Sequence, residues 1–278
     1  MRLSVMLFPF HGAISQGRCQ PEELVKTLHD AGATGLEPMY GWNEKDPENW
    51  RRLYQAAAGL GLSFTCYDIK ANLVGDGAAS RQQAIDTCKQ QIDYAAQVLH
   101  CPTVLVYGSN VAPGMSIDDG RRVFAEQLAL VAAYAKPAGV TVTIEDFDPY
   151  PHFVASAQSC RHVLDLAGPD VGLTFDTGNF LNGGDQPAEI FPLVQNRIRH
   201  VHVKDKTRRV PDSLPSNTGV NGVQYKGCLI GDGAAQIGLC VELLQSSGYQ
   251  KWLSIEIGSD NVGDAVHGLR FLAESTTK

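Results

Sequence analysis

Short runs of β-branched and aromatic residues alternate with longer amphipathic runs along almost the whole chain. The short apolar runs predict buried strands, and the runs with a helical repeat predict amphipathic helices. The predicted strands lie at 3–8, 34–37, 62–67, 103–107, 140–145, 171–176, 198–204 and 252–257. The predicted helices that follow them lie at 21–32, 47–59, 80–99, 118–136, 156–167, 187–196, 235–247 and 262–274.

Strict alternation of eight strands with eight helices requires parallel strands joined by helical crossovers. In a chain of 278 residues this pattern predicts an α/β fold, the closed (β/α)8 TIM barrel. A doubly wound open sheet is the alternative, but it needs fewer strands, and the first turn, residues 8–12, lacks the pattern G-x-G-x-x-G. No linker or low-complexity tract divides the chain, so residues 1–278 are expected to form one domain.

The segment 207–233 breaks the alternation, because it is rich in Gly, Pro, Ser and Asn and has little periodicity. A long loop inside a compact domain is usually a lid or a binding loop. It follows the seventh predicted strand, at the end of the barrel where TIM-barrel enzymes have their active sites. The alternative interpretation is a disordered surface insertion.

Composition and charge narrow the functional classes. A net charge of −7 argues against a general nucleic-acid binder, which needs a basic face. No apolar run approaches the length of about 18 residues that a membrane span needs. The apolar start of the chain is interrupted by Pro9 and His11, which fits a buried strand better than a signal peptide. Seven cysteines without a C-x-x-C pair predict reduced thiols and a cytoplasmic protein.

Polar side chains stand at or near the ends of the last four predicted strands. They are Glu145, Asp176, His202 and Glu256, and His202 is flanked by Val201 and Val203. Because the carboxyl ends of neighbouring barrel strands meet at one rim, we expect the four side chains to converge. Three carboxylates and one imidazole form a mainly oxygen site, which favours Mn²⁺, with Mg²⁺, Co²⁺ or Zn²⁺ as alternatives.

These residues resemble the motifs of the xylose-isomerase-like TIM-barrel superfamily, the sugar phosphate isomerase/epimerase family, and in particular ketose 3-epimerases and inosose dehydratases. The matching segments are Ile144-Glu145, Phe175-Asp176-Thr177-Gly178-Asn179, His200-Val201-His202-Val203-Lys204-Asp205 and Ile255-Glu256. The resemblance implies that the four polar residues bind one divalent metal ion and that Glu145 and Glu256 also form the catalytic acid/base pair. It further implies substrate contacts for Arg208 and Glu37, although a salt bridge at the barrel rim is the alternative for Glu37.

Three further residues are expected to contact substrate. His11 lies in the first βα loop and Tyr67 ends the third predicted strand, where a surface histidine and rim packing are the alternatives. Asn179 occupies the position where ketose 3-epimerases and the related endonucleases often have histidine. An asparagine can hydrogen-bond a hydroxyl group but cannot hold a second metal in the same way. Together with the acidic charge, this argues against a multi-zinc nuclease.

The resemblance implies a metal-dependent isomerase or epimerase that removes a proton next to a carbonyl through a metal-stabilised enediolate. A dehydratase acting on a keto-polyol or keto-sugar is the alternative, because loss of a β-hydroxyl begins with the same proton abstraction. A sugar-binding barrel without catalytic activity is the third hypothesis. The expected partner is a sugar or polyol, with no nucleic acid and no membrane, and a homo-oligomer is compatible with the sequence.

Overall fold

Parallel strands form a nearly closed barrel surrounded by helices, as predicted, in a computed structural model that describes residues 1–208 and 217–276. The barrel strands are β1 (Arg2–Met6), β2 (Gly35–Glu37), β3 (Ser63–Phe64), β4 (Tyr67–Lys70), β5 (Thr103–Tyr107), β6 (Thr141–Glu145), β7 (Val171–Asp176), β8 (Ile198–Val203) and β12 (Trp252–Ile255). Around the barrel they follow the order β3-β2-β1-β12-β8-β7-β6-β5-β4.

The third predicted strand, 62–67, is broken into two pieces that share one position in the barrel. β3 pairs with β2 on one side, and β4 pairs with β5 on the other. Thr65 lies between the pieces, and its hydroxyl lies 2.9 Å from the Ser4 hydroxyl inside the barrel. The prediction of one continuous strand is therefore wrong, because the chain changes hydrogen-bonding partner at this point.

Helices cover the outside of the barrel: α1 (His11–Ser15), α2 (Pro21–Asp30), α3 (Trp42–Lys45), α4 (Pro47–Gly59), α5 (Ala78–Gln97), α6 (Ile117–Ala135), α7 (Pro151–Val154), α8 (Ala157–Ala167), α9 (Pro187–Val194), α10 (Ile237–Ser246) and α11 (Val262–Thr276). Three of them, α1, α3 and α7, are short and were not predicted. None of the helices in the described part of the chain is long and apolar enough to cross a membrane.

The helix α6 illustrates how the amphipathic pattern builds this layer. The Ser116 hydroxyl caps its first turn by accepting a hydrogen bond from the backbone N–H of Asp119, at 3.1 Å. Its buried residues Phe124, Leu128 and Val131 recur at helical spacing. They belong to the same apolar core as the outward side chains of the barrel strands.

A small antiparallel sheet forms part of the described portion of the segment 207–233. It consists of β9 (Lys206–Arg208), β10 (Asn217–Thr218) and β11 (Gln224–Gly227), in the order β10-β11-β9. Residues 209–216 of the predicted loop lie outside the described residues. The expectation of a loop without periodic structure is corrected here, because strands of two to four residues are defined by backbone pairing rather than by a side-chain pattern.

Candidate metal centre and active site

Four side chains converge at the carboxyl end of the barrel. Glu145 and Asp176 are the last residues of β6 and β7, His202 lies in β8, and Glu256 directly follows β12. These strands are neighbours in the barrel, and Asp176 lies opposite His202 in the β7–β8 register. One ligand atom from each of the four residues lies within 4.8 Å of the others. The structure thus brings together the four residues that strand-end positions predicted to meet.

The imidazole of His202 is held between carboxylates on both sides. Its Nε2 donates to Glu37 at 2.8 Å, while its Nδ1 lies 2.7 Å from Glu145 and 3.6 Å from Glu256. Nδ1 is therefore the atom that could bind a metal ion. The carboxylate of Glu37 accepts from the opposite ring nitrogen, Nε2–H, and holds it in place. This carboxylate–histidine arrangement is common behind metal-binding imidazoles, because it fixes the tautomer and the ring orientation.

Glu37 belongs to this buried support. Its second oxygen accepts a hydrogen bond from His200 Nε2, also at 2.8 Å. Burial raises the pKa of Glu37, but the charges and hydrogen bonds of the two histidines outweigh it, so the pKa lies well below its usual value. For His202, burial lowers the pKa, but the carboxylates Glu37 and Glu145 raise it well above its usual value.

Asp176 provides the observation that best fits a cation. Its Oδ1 accepts hydrogen bonds from the backbone N–H groups of Gly178 and Asn179, at 2.7 and 2.8 Å. Its Oδ2 is buried in the cluster and has no hydrogen-bond partner among the residues that the structure describes. Burial and the charges of Glu256 and Glu145 raise the pKa of Asp176 well above its usual value, although Lys204 and His202 oppose them. A divalent cation bound by these residues would satisfy the unpartnered oxygen and remove the repulsion.

Lys204 places an ammonium group at the edge of the cluster. Its Nζ pairs with Glu256 and lies 3.9 Å from Asp176 Oδ2. Burial lowers the pKa of Lys204, but the carboxylates of Glu256, Asp176 and Asp148 raise it well above its usual value. Burial raises the pKa of Glu256, but the contact with Lys204 and the charge of His202 hold it below its usual value. Lys204 therefore carries a positive charge beside the candidate metal ligands and holds the proton of its pair with Glu256.

A cavity of about 250 Å³ opens directly onto this cluster. That volume is just below the range of about 300–1,000 Å³ that is typical of ligand pockets, and it suits a molecule of monosaccharide size. The lining combines polar and apolar side chains and consists of Met6, Phe8, Met39, Asp68, Leu105, Tyr107, Glu145, Phe147, Asp148, Pro149, Asn179, His202, Lys204 and Glu256.

The residues predicted to contact substrate differ in which cavity, if any, they line. Asn179 lines the cavity, and His11 lines a neighbouring cavity of about 140 Å³ that shares the walls Phe8 and Met39. Glu37, Tyr67 and Arg208 do not line either cavity.

In the described part of the chain, these three side chains have other surroundings, and their substrate contacts stay predictions. Both oxygens of Glu37 are occupied by histidines inside the barrel. The hydroxyl of Tyr67 donates to Gln91 at 3.0 Å, in the layer between strand and helix. Arg208 is exposed at the end of β9.

Sequence reasoning gave no definite role to Lys204, and it did not single out Lys206 or Asp68. The signal was present, because His200, His202, Lys204 and Lys206 alternate along the chain, and alternate residues of an extended segment share one face. Asp68 lines the cavity from β4. Burial and the charge of Glu37 raise its pKa well above its usual value, although the charge of His202 opposes them.

A family model for the xylose isomerase-like TIM barrel matches residues 25–275. The chain belongs to this family. Among curated proteins, the inosose dehydratase of Lacticaseibacillus casei is 33% identical over 113 residues, which is 38% of this chain and 37% of that protein. The matched segment therefore spans well under half the length of this relative.

Two solved structures of low sequence identity have the same fold as this xylose isomerase-like barrel. The probable 3-DHS dehydratase AsbF from Bacillus anthracis superposes with a TM-score of 0.76, at 13% identity, over 98% of this chain and 99% of that one. The IOLI protein, whose structure contains a zinc atom, superposes with a TM-score of 0.77, at 15% identity, over 100% of this chain and 98% of that one.

Proposed function

We propose that this xylose isomerase-like barrel is a divalent-metal-dependent dehydratase that removes water from a keto-polyol or keto-sugar. The convergence of Glu145, Asp176, His202 and Glu256 on one point beside a cavity of monosaccharide size is the observation that carries the proposal. The partial match to inosose dehydratases supports dehydration over the isomerase or epimerase reaction that the motifs alone suggested.

The donor set of the cluster fits a divalent ion, which Glu145, Asp176, His202 and Glu256 would hold. When bound, the ion supplies Lewis acidity that makes a C–H bond next to a ketone easier to deprotonate. Three carboxylates and one imidazole suit several ions, including Mn²⁺, Mg²⁺, Co²⁺ and Zn²⁺.

The protein residues then have separate tasks. Glu145 accepts the proton of the carbon next to the ketone, and the electron pair of that C–H bond forms the new C=C bond. The C–O bond on the next carbon breaks, its electron pair leaves with the oxygen, and one proton from the Glu256–Lys204 pair completes the water molecule. The products are an α,β-unsaturated ketone and water, with no net oxidation or reduction.

The apolar wall of the cavity, formed by side chains such as Phe8, Met39 and Phe147, would pack against the C–H face of the substrate ring. It would also keep bulk water away from the reacting carbon. Exclusion of water strengthens the electrostatic contacts of the charged residues that line the same cavity.

Product analysis tests the proposal. Protein loaded with Mn²⁺ or Zn²⁺ is incubated with inosose in D₂O and followed by proton NMR and mass spectrometry. Elimination gives an unsaturated product that has lost one molecule of water. A product that has lost no water but has exchanged one carbon-bound hydrogen for deuterium would instead identify an epimerase or isomerase. That result would overturn the dehydratase assignment. Glu145→Gln should abolish turnover while the protein remains folded.

Isomerase or epimerase chemistry is the second candidate function because Glu145 and Glu256 approach His202 Nδ1 from different strands, at 2.7 and 3.6 Å. Two carboxylates that reach one substrate from different sides are what an epimerase needs. The pairing of Glu256 with Lys204 argues against it, because the ammonium group stabilises the ionised carboxylate and makes it a weaker base.

A further inference from the structure

Lys206 is a buried lysine whose ammonium group lies behind the cavity wall. Its side chain is 2% exposed, and its Nζ donates to Asp148 at 2.7 Å, Asn179 at 2.9 Å and Asn182 at 2.8 Å. An ammonium group has three N–H donors, so all of them are used. Burying such a group is costly unless its partners remain in place, and these acceptors are therefore firmly held.

The contact with Lys206 fixes the orientation of the Asn179 side chain. Asn179 Oδ1 accepts from both Lys206 and Lys204, the latter at 3.2 Å. A flipped amide would direct its NH₂ group at two ammonium groups, which have no acceptor, so the flipped state is strongly disfavoured. The oxygen of this amide must therefore face the lysines.

The nitrogen of the same amide remains available for a ligand. Among the described residues, Asn179 Nδ2 has no hydrogen-bond partner, and it is not one of the fully enclosed polar atoms. Since Asn179 lines the cavity beside the metal cluster, Nδ2 borders the space that a substrate would occupy. The backbone N–H of Asn179 also donates to Asp176, which keeps the residue close to the candidate metal site.

We propose that Lys206 is a positioning residue that turns Asn179 into a fixed hydrogen-bond donor for an acceptor oxygen of the substrate. The ligand class is a ketone, whose oxygen gains negative charge as the neighbouring proton is removed; this part rests on the proposed function. A donor that is already oriented toward developing charge lowers the barrier without reorganisation. Lys206 does not line the cavity, so it acts only through the residues that it holds.

Kinetics with inosose test the coupling between the two residues. Asn179→Ala should lower kcat/KM about a hundredfold, as expected for loss of one oriented donor. Lys206→Met should lower it at least about tenfold, but the double variant should be no worse than Asn179→Ala alone within about twofold. Lys226→Met, on the exposed face of the neighbouring strand β11, is the matched control and should behave as the unmodified protein. Losses that multiply in the double variant would overturn the proposal.

If Lys206→Met does not fold, Asn179→Asp still tests whether the Nδ2 donor of Asn179 contributes to the reaction. A carboxylate retains an oxygen for both lysines but replaces the Nδ2 donor with an acceptor. It should therefore fold and lose about as much kcat/KM as Asn179→Ala, and unchanged kcat/KM would refute the role of the donor.

A measurement without substrate separates this inference from the proposed function. The side-chain NH₂ resonances of Asn179 in a ¹⁵N-HSQC spectrum, assigned from the Asn179→Ala spectrum, report the order of the amide. We expect them to shift or broaden in Lys206→Met and to stay unchanged in Lys226→Met. Unchanged resonances in Lys206→Met would sink the positioning role, whether or not inosose is a substrate.

Discussion

Replacing Glu37 with glutamine tests whether this residue supports the metal site or contacts substrate. Glu37 is 1% exposed and accepts two hydrogen bonds of 2.8 Å, one from each of His200 and His202. A glutamine has one oxygen and one NH₂ group, so one imidazole must lose its acceptor or change tautomer. If His202 is affected, its Nδ1 is no longer presented to the metal in the correct state.

The size of the effect follows from the position of Glu37 behind the ligand. Loss of a residue that orients a metal ligand typically lowers metal affinity about 10- to 100-fold, or roughly 1.4 to 2.7 kcal/mol. We therefore expect Glu37→Gln to raise the Kd for Zn²⁺ or Mn²⁺ by that factor. Glu23→Gln, an exposed change on α2, should leave the Kd unchanged.

Calorimetric titration of metal into chelator-stripped protein measures this affinity directly. At saturating metal, KM for the substrate should stay within about twofold of the unmodified protein, because Glu37 does not line the cavity. Metal affinity within threefold of the unmodified value, together with a KM raised tenfold or more, would refute the supporting role. That result would restore the substrate contact that the sequence resemblance implied.

Two further predictions concern stability. Saturating Zn²⁺ or Mn²⁺ should raise Tm by about 5–10 °C, because binding at 100 times Kd contributes about 2.7 kcal/mol, and an unchanged Tm would contradict a metal site at Asp176. Burial raises the pKa of Asp148, but Lys204 and Lys206 outweigh it and hold the pKa below its usual value. That stabilisation is present above the unfolded-state pKa of about 3.9 and is lost as pH falls through the folded-state pKa. Asp148→Asn should therefore lower the urea unfolding free energy by about 3 kcal/mol at pH 7 and by less as the pH falls below about 3.9, and a difference independent of pH would contradict the ion pair.

The convergence of the four candidate metal ligands was predictable because it depends on topology alone. Once βα alternation fixes a parallel barrel, the ends of consecutive strands must meet, and a polar residue at each end points to the same rim. Glu145, Asp176 and Glu256 all lie at or directly after the last residue of a strand. No knowledge of side-chain packing was needed to expect them near His202.

The residues that hold the four candidate ligands in place were not predictable in the same way. Glu37 and His202 lie 165 positions apart in the chain, and their contact depends on which ring nitrogen faces which carboxylate. Alternation places His200, His202 and Lys206 on one face but does not identify their partners. The break in the third strand is equally hidden, because 62–67 has a continuous strand pattern and only its pairing with two different neighbours reveals the interruption.

The balance of charge at the cluster bears on the kind of substrate that it could accept. With a metal ion bound, Glu145, Asp176 and Glu256 would contribute three negative charges, and Lys204 contributes one positive charge at contact distance. A divalent ion with a neutral imidazole at His202 would balance these four charges, while the buried carboxylate of Glu37 behind His202 adds one further negative charge. An additional phosphate or carboxylate beside the metal would then leave an uncompensated negative charge in a buried space, which is costly. The electrostatics therefore favour an uncharged keto-polyol over a phosphorylated sugar at the reacting end of the cavity.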